Sequence, residues 1–173
     1  MLRRNILLMS GIAAVSASTL LAACGGNSEV NQDLFELVRS NSDLSVLGDA
    51  IVAADLVVTF QANTSYTLFA PNNAAFVAVL AELGMTKDQL FADKPMLTAV
   101  LTYHLLPGKI SFGDILLNTQ LKTVQGATLK VDNIGGVLTI TDSRGRTSRI
   151  IQGNLDARNG IVHIVDKVLL PPV

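Results

Sequence analysis

The sequence predicts one α+β domain behind an export leader, and three observations carry that prediction. Through the first hundred or so residues the apolar positions recur at mostly helical spacing; from Gln120 they alternate; and the alternating segments are short and separated by turn chemistry. At 173 residues, with a leader to set aside, the chain has room for one core of ordinary size.

Asn31 to Arg39 and Asp43 to Ala54 read as two short helices. In the second, Leu44, Leu47 and Ile51 form one apolar stripe, with Ser42 or Asp43 as its cap. Tyr66 to Ala70 reads as a strand closed by Pro71, after which Asn72 or Asn73 can cap a helix carrying Phe76, Leu80 and Leu83 and ending at Gly84. Thr86 with Gln89 makes a capping box, and Pro95 suits the first turn of the next helix. There Leu97, Val100, Leu101 and His104 share one face, and Pro107-Gly108 is a stop. Beyond Gln120, Val124 and the segments 128–131, 137–141, 147–151 and 161–165 are strand candidates. Asn133-Ile134-Gly135-Gly136, Asp142-Ser143-Arg144-Gly145 and Asn159-Gly160 lie between them as turns.

The first 23 residues read as a secretory signal: Arg3 and Arg4 lead a 16-residue apolar stretch from Ile6 to Leu21, too interrupted by small and polar residues to serve as a permanent span. Leu21-Ala22-Ala23-Cys24 resembles the bacterial lipobox, in which the cysteine thiol is acylated and the chain is cut before it. Cys24 is the only cysteine, so a disulfide has no partner and lipidation would remove an exposed thiol. Residues 24–29 then make a short tether to a domain at 30–173, and the partner at that end is a membrane. Gly25 in place of aspartate favours the outer membrane where a cell has two. Arg3-Arg4-Asn5-Ile6-Leu7 also loosely resembles a twin-arginine signal, leaving the export route open.

From Cys24 onward 11 basic side chains face 14 acidic ones, a net of about −3, which offers nothing to a phosphate backbone and excludes nucleic acid as the expected partner. With no Trp and two Tyr, stacking platforms for sugars or bases are poorly supplied.

YTLFAPNNAAF at 66 to 76, VLTYHLLPGKI at 100 to 110 and NGIVHIVDKVLLPP at 159 to 172 resemble, in order and spacing, the three signature blocks of the fasciclin (FAS1) domain. The middle block carries that family's Tyr-His motif at Tyr103 and His104; the main departure is Asn72, where the family commonly has Thr or Ser. The resemblance implies a wedge-like sandwich of two sheets with helices at one side. It also implies adhesion or extracellular interaction rather than catalysis.

The chemical candidates agree with that expectation. His104 lies on an apolar stripe, so burial with hydrogen bonds to the helix end is expected of it, and Tyr103 at the stripe's edge can bury its ring while its hydroxyl finds a partner. His163 shares a strand face with Ile161 and Val165, whereas Asp166 points to the other face, which makes them poor catalytic partners. No G-x-S-x-G occurs and neither histidine has a second histidine or cysteine near it, so no catalytic residue, metal ligand or cofactor is expected. An unrecognised hydrolase is the weakest alternative. Pro71, Pro107, Pro171 and Pro172 stop elements, and Asn159-Gly160 reads as hairpin chemistry. Arg144, Arg146 and Arg149 read either as a solvated hairpin tip or as a contact for an anionic polymer. The expectation is a lipid-anchored adhesion domain with an unknown protein or polysaccharide partner. A polysaccharide- or small-ligand-binding lipoprotein is the main alternative.

Overall fold

The computed structural model describes residues 31–172. The signal, Cys24, Gly25 and the tether lie outside them.

Asp33 opens the first helix, α1 (Leu34–Ser40), through a capping box with Glu36. The second expected helix is divided. A single 3-10 turn (Ser42–Leu44) is capped by Asn41, not by Ser42 or Asp43, and it leads into α2 (Ser45–Ala53). The cause is long-range: the free N–H of Val46 in the first turn of α2 is met by the side chain of Asn73, 3.0 Å away. Leu44, Leu47 and Ile51 are fully buried, as their stripe requires. A five-residue helix α3 (Val57–Gln61) follows, too short to show a period, and buries Phe60.

Strand β1 (Tyr66–Pro71) and α4 (Asn73–Leu83) come next, the helix capped by Asn72 and ended by Gly84 at φ +65°. Helix α5 (Lys87–Ala92) has the Thr86–Gln89 capping box, and α6 (Lys94–Tyr103) holds Pro95 in its first turn. Two further elements, like α3, were not legible: β2 (Leu105–Pro107), which puts the expected stop inside an edge strand, and α7 (Phe112–Leu117). The rest is β3 (Gln120–Lys122), β4 (Thr128–Ile134), β5 (Val137–Thr141), β6 (Thr147–Ala157) and β7 (Gly160–Val165).

The strands run in the order β2-β1-β7-β6-β5-β4-β3. The meander from β3 to β7 is antiparallel, and β1 joins it parallel to β7. The expected two-sheet sandwich is built from this one ladder. Strand β6 pairs with β5 over Thr147–Arg149 and with β7 from Ile150 on, with irregular register between Ile150 and Leu155 and Asn154 at φ +57°. Such bulges bend a strand. Two leaves therefore share β6. Phe69 and Val165 from one leaf meet Leu129, Val131, Leu138 and Ile140 from the other in a common core. On the opposite face of β1 and β7, Leu68, Ala70, Val162 and Ile164 are covered by the helices, with Phe60 and Phe76 among them. Each such side chain larger than alanine contributes about 1.5–3 kcal/mol by burial. The N–H of Val124, just past β3, reaches the carbonyl of Leu105 in β2 at 2.7 Å, which brings the two ends of the ladder together.

Candidate binding site

The Tyr-His pair sits where α6 ends. His104 is its C-cap residue and is 1% exposed. Nδ1 lies 2.7 Å from the carbonyl of Val100, which can only accept, and Nε2 lies 2.9 Å from the N–H of Leu169, which can only donate. Those partners fix the neutral Nδ1–H tautomer. Burial pushes the pKa down to about 4, against the smaller opposing effects of the Val100 carbonyl and the Asp142 charge. Tyr103 is fully buried, and its hydroxyl accepts the N–H of Ser143 at 3.0 Å and shares a hydrogen bond with Ser143 Oγ at 2.8 Å.

The pair thus holds two segments of chain: the turn between β5 and β6, and the tail after β7. Asp142 completes the arrangement. One carboxylate oxygen accepts the N–H groups of Arg144 and Arg146, both at 2.9 Å, and the other accepts that of Leu170 at 3.1 Å. From this frame the three arginines diverge to separate partners. Nε of Arg144 donates to the carbonyl of Pro171 (3.0 Å), Nη2 of Arg146 reaches Glu82 on α4 (2.7 Å), and Nε of Arg149 reaches Asp166 (3.1 Å). Asp166 also accepts the backbone N–H of Arg149 (2.7 Å) and the hydroxyl of Ser148 (3.2 Å), so its charge is spent on β6.

Two open grooves meet at this end of the molecule. One, of about 380 Å³, runs beside Ile134, Val137, Thr139 and Arg149; the other, of about 350 Å³, lies between α4 and the arginine turn, with Ala75, Ala78, Gly145 and Arg146 in its wall. Thr147 and Lys167 line both, so the two grooves adjoin across these side chains as the lobes of a trough. Lys167, Thr139, Thr147 and Glu82 were not singled out from the sequence. The Asp142-Ser143-Arg144-Gly145 turn and the arginines Arg144, Arg146 and Arg149 pointed to the place, but another wall comes from α4, distant in sequence.

The other motif residues lie away from the trough. His163 is fully buried: Nδ1 accepts the N–H of Asn154 (3.3 Å), Nε2 faces the carbonyl of Ile110 (3.0 Å), and burial lowers its pKa. Asn159 is 2% exposed and bonds three backbone groups, the N–H of Leu34 at the start of α1 (2.9 Å) and the carbonyls of Phe60 and Ala62 (both 2.7 Å). The hairpin expectation needs correcting here. Arg158 and Asn159 make the link, and Gly160 is the first residue of β7, paired with Ala157. Its role is space rather than turn geometry, because a Cβ there would lie 2.2 Å from the carbonyl oxygen of Tyr66. Asn73 ties α4 to the 3-10 turn through the carbonyl of Ser42 (2.9 Å) as well as to Val46.

Both histidines therefore have both ring nitrogens engaged by the backbone, and neither has a nucleophile or carboxylate on its free edge. Among the described residues no group of three or more His, Cys, Asp or Glu side chains could hold a metal. The class so defined is an α+β domain in which the motif residues build the scaffold and the accessible chemistry is a cationic trough. The Fasciclin domain family model matches residues 42–171, and the chain belongs to that family. It is 33% identical over 141 residues to Protein sll1483 of Synechocystis sp., covering 81% of this chain and 74% of that one. It is 36% identical over 107 residues to the cell surface glycolipoprotein MPB83 of Mycobacterium bovis, covering 62% of this chain and 44% of that one. A solved FAS1 domain pair from the insect cell adhesion molecule fasciclin I aligns at a TM-score of 0.49 and 23% identity, over 78% of this chain and 43% of that one.

Proposed function

We propose that this chain is an exported lipoprotein, cut before Cys24 and anchored by acyl chains on it, whose folded domain mediates attachment to an extracellular protein or polysaccharide by binding rather than catalysis. The observation that carries the reading is the polarity of the domain. The chain enters beside the Arg158–Asn159 link, where the carbonyl of Gln32 accepts the N–H of Arg158 at 2.8 Å. The trough lies at the other end of β7, around Asp166 and Lys167, so an anchor at Cys24 would leave it facing away from the membrane. The relative named a cell surface glycolipoprotein, in Mycobacterium bovis, is in keeping with this. No helix among the described residues is long and apolar enough to cross a membrane, so the anchor rests on the leader.

The test is to express the full chain and its Cys24→Ala form in bacteria fed radiolabelled palmitate, and to measure label, membrane fractionation and cell attachment to a matrix-protein and glycan array. Label and membrane retention only with Cys24, and attachment only with the anchored form, are expected. An unlabelled, soluble full-length chain would overturn the anchor, and attachment equal to that of cells lacking the protein would overturn the adhesive role.

A further inference from the structure

We propose that the two-lobed trough is a binding site for an acidic glycan, a saccharide chain bearing carboxylates or sulfates, held at Arg146 and Lys167. This rests on the reading of the domain as an outward-facing binding module and names the chemistry of its partner.

Charge is the first ground. Lys167 is exposed and has no acidic side chain within ion-pair distance among the described residues, since its neighbour Asp166 is committed to Arg149 and Ser148. Arg146 is under-satisfied in a more telling way. Its Nη2 engages Glu82, but Nη1 is covered and has no acceptor at all. A guanidinium fork left with an unmade hydrogen bond gains from any turn toward an anionic oxygen, and Arg favours the planar, two-oxygen geometry of carboxylate and sulfate. Lys167 lines both lobes, and Arg146 lines the one beside α4.

Shape is the second ground. Each lobe is at the small end of the range for ligand sites, about 300–1,000 Å³, and the two lie side by side about Thr147 and Lys167, which suits successive units of a polymer better than one large ligand. Ala75, Ala78 and Gly145 leave a shallow wall without bulk, and the hydroxyls of Thr139 and Thr147 are ordinary partners for sugar hydroxyls. No aromatic ring lines either lobe, so a neutral sugar lacks a stacking surface and charge must carry the affinity.

Competing occupants fit less well. An extended peptide docks by adding to a free sheet edge, but β2 and β3 are three residues each and are drawn together by Val124 and Leu105. A membrane surface is disfavoured because the trough lies across the domain from the point where the chain enters.

The test titrates the full-length lipidated protein, in detergent micelles, with oligogalacturonate, with a neutral dextran oligomer of equal length, and with polyglutamate of equal charge; binding to anionic phospholipid vesicles is measured in parallel. Oligogalacturonate should bind, weaken as salt is raised, and lose about tenfold or more in affinity in the Arg146→Gln, Lys167→Gln double variant, while dextran does not bind. Should Arg146→Gln disturb folding through the loss of its Glu82 contact, the exposed Lys167→Gln variant alone should still weaken binding severalfold. No binding of oligogalacturonate, binding unchanged by both variants, or polyglutamate or vesicles bound more tightly through the same residues would overturn the glycan assignment. Cells that still attach to the array without oligogalacturonate binding would sink this assignment and leave the adhesive reading standing.

Discussion

His104 is a buried base whose two nitrogens are both in use, and that makes it a liability in acid. Its folded pKa of about 4 lies below the ordinary histidine value of 6.5, so the unfolded chain takes up the proton first as pH falls. Stability is then full above about pH 6.5, declines through the window down to about pH 4, and is flat below it as far as this group is concerned. The shift corresponds to roughly 3 kcal/mol, and His163, lowered in the same direction by burial, adds to the loss. Denaturant titrations at pH 7.5 and 4.5 should show a drop of that order. A His104→Gln variant should be less stable at pH 7.5 yet lose less on acidification, which separates the histidine from the carboxylates that also titrate there. Equal acid losses in the two proteins would mean that the ring is not held neutral by Val100 and Leu169. Tyr103→Phe should cost about 1–3 kcal/mol, because the N–H of Ser143 loses its acceptor within a part-buried turn. It should weaken anion binding as well, since that turn carries Arg144 and Arg146; unchanged melting and binding would deny Tyr103 its hold on the turn.

Between elements, Asn159 joins the start of α1, the end of α3 and the β6–β7 link through three hydrogen bonds. Asn159→Ala would orphan all three groups, two of them buried, and a loss of about 3–5 kcal/mol in chemical denaturation is expected. A loss below about 1 kcal/mol would show that water or a shift of α1 replaces the side chain. Gly160→Ala should be comparably damaging for a different reason, because the colliding atom is backbone and cannot turn aside. These two residues show where reading the sequence reached its limit. Elements with a pattern of their own were legible: the stripes of α2 and α6, the caps of α4 and α5, the alternation of β4 and β5. Three-residue β2 and the short α3 and α7 complete no period, so nothing local announces them. Asn159-Gly160 looks like hairpin chemistry in one dimension, whereas the residues that decide its role, Leu34, Phe60 and Tyr66, lie far off in sequence. The arginine turn was legible as a place. Its partners Glu82 and Pro171 were not, for the same reason.

At the scale of the whole molecule the chain has two poles, set by the parallel pairing of β1 with β7. Chain entry, Asn159 and the start of β7 mark one; Lys167, the arginine turn and the start of α4 mark the other. The six residues of β7 separate them by about 16 Å of strand. The eight peptide steps from Cys24 to Gln32 reach at most about 28 Å, so acyl chains on Cys24 would keep the entry pole within that distance of the bilayer while the trough is free to stand farther out. A fluorophore placed by Thr64→Cys, next to the entry pole, should therefore be quenched by headgroup-attached quencher in vesicles more strongly than one placed by Lys167→Cys. With Cys24 acylated, each introduced thiol would be the sole labelling site. Equal quenching at both positions would mean that the domain has no preferred orientation on its anchor, and stronger quenching at residue 167 would turn the trough toward the lipid. Either result would remove the geometric basis for an outward-facing site, whereas the expected order would put Arg146 and Lys167 at the height where a partner outside the membrane is first met.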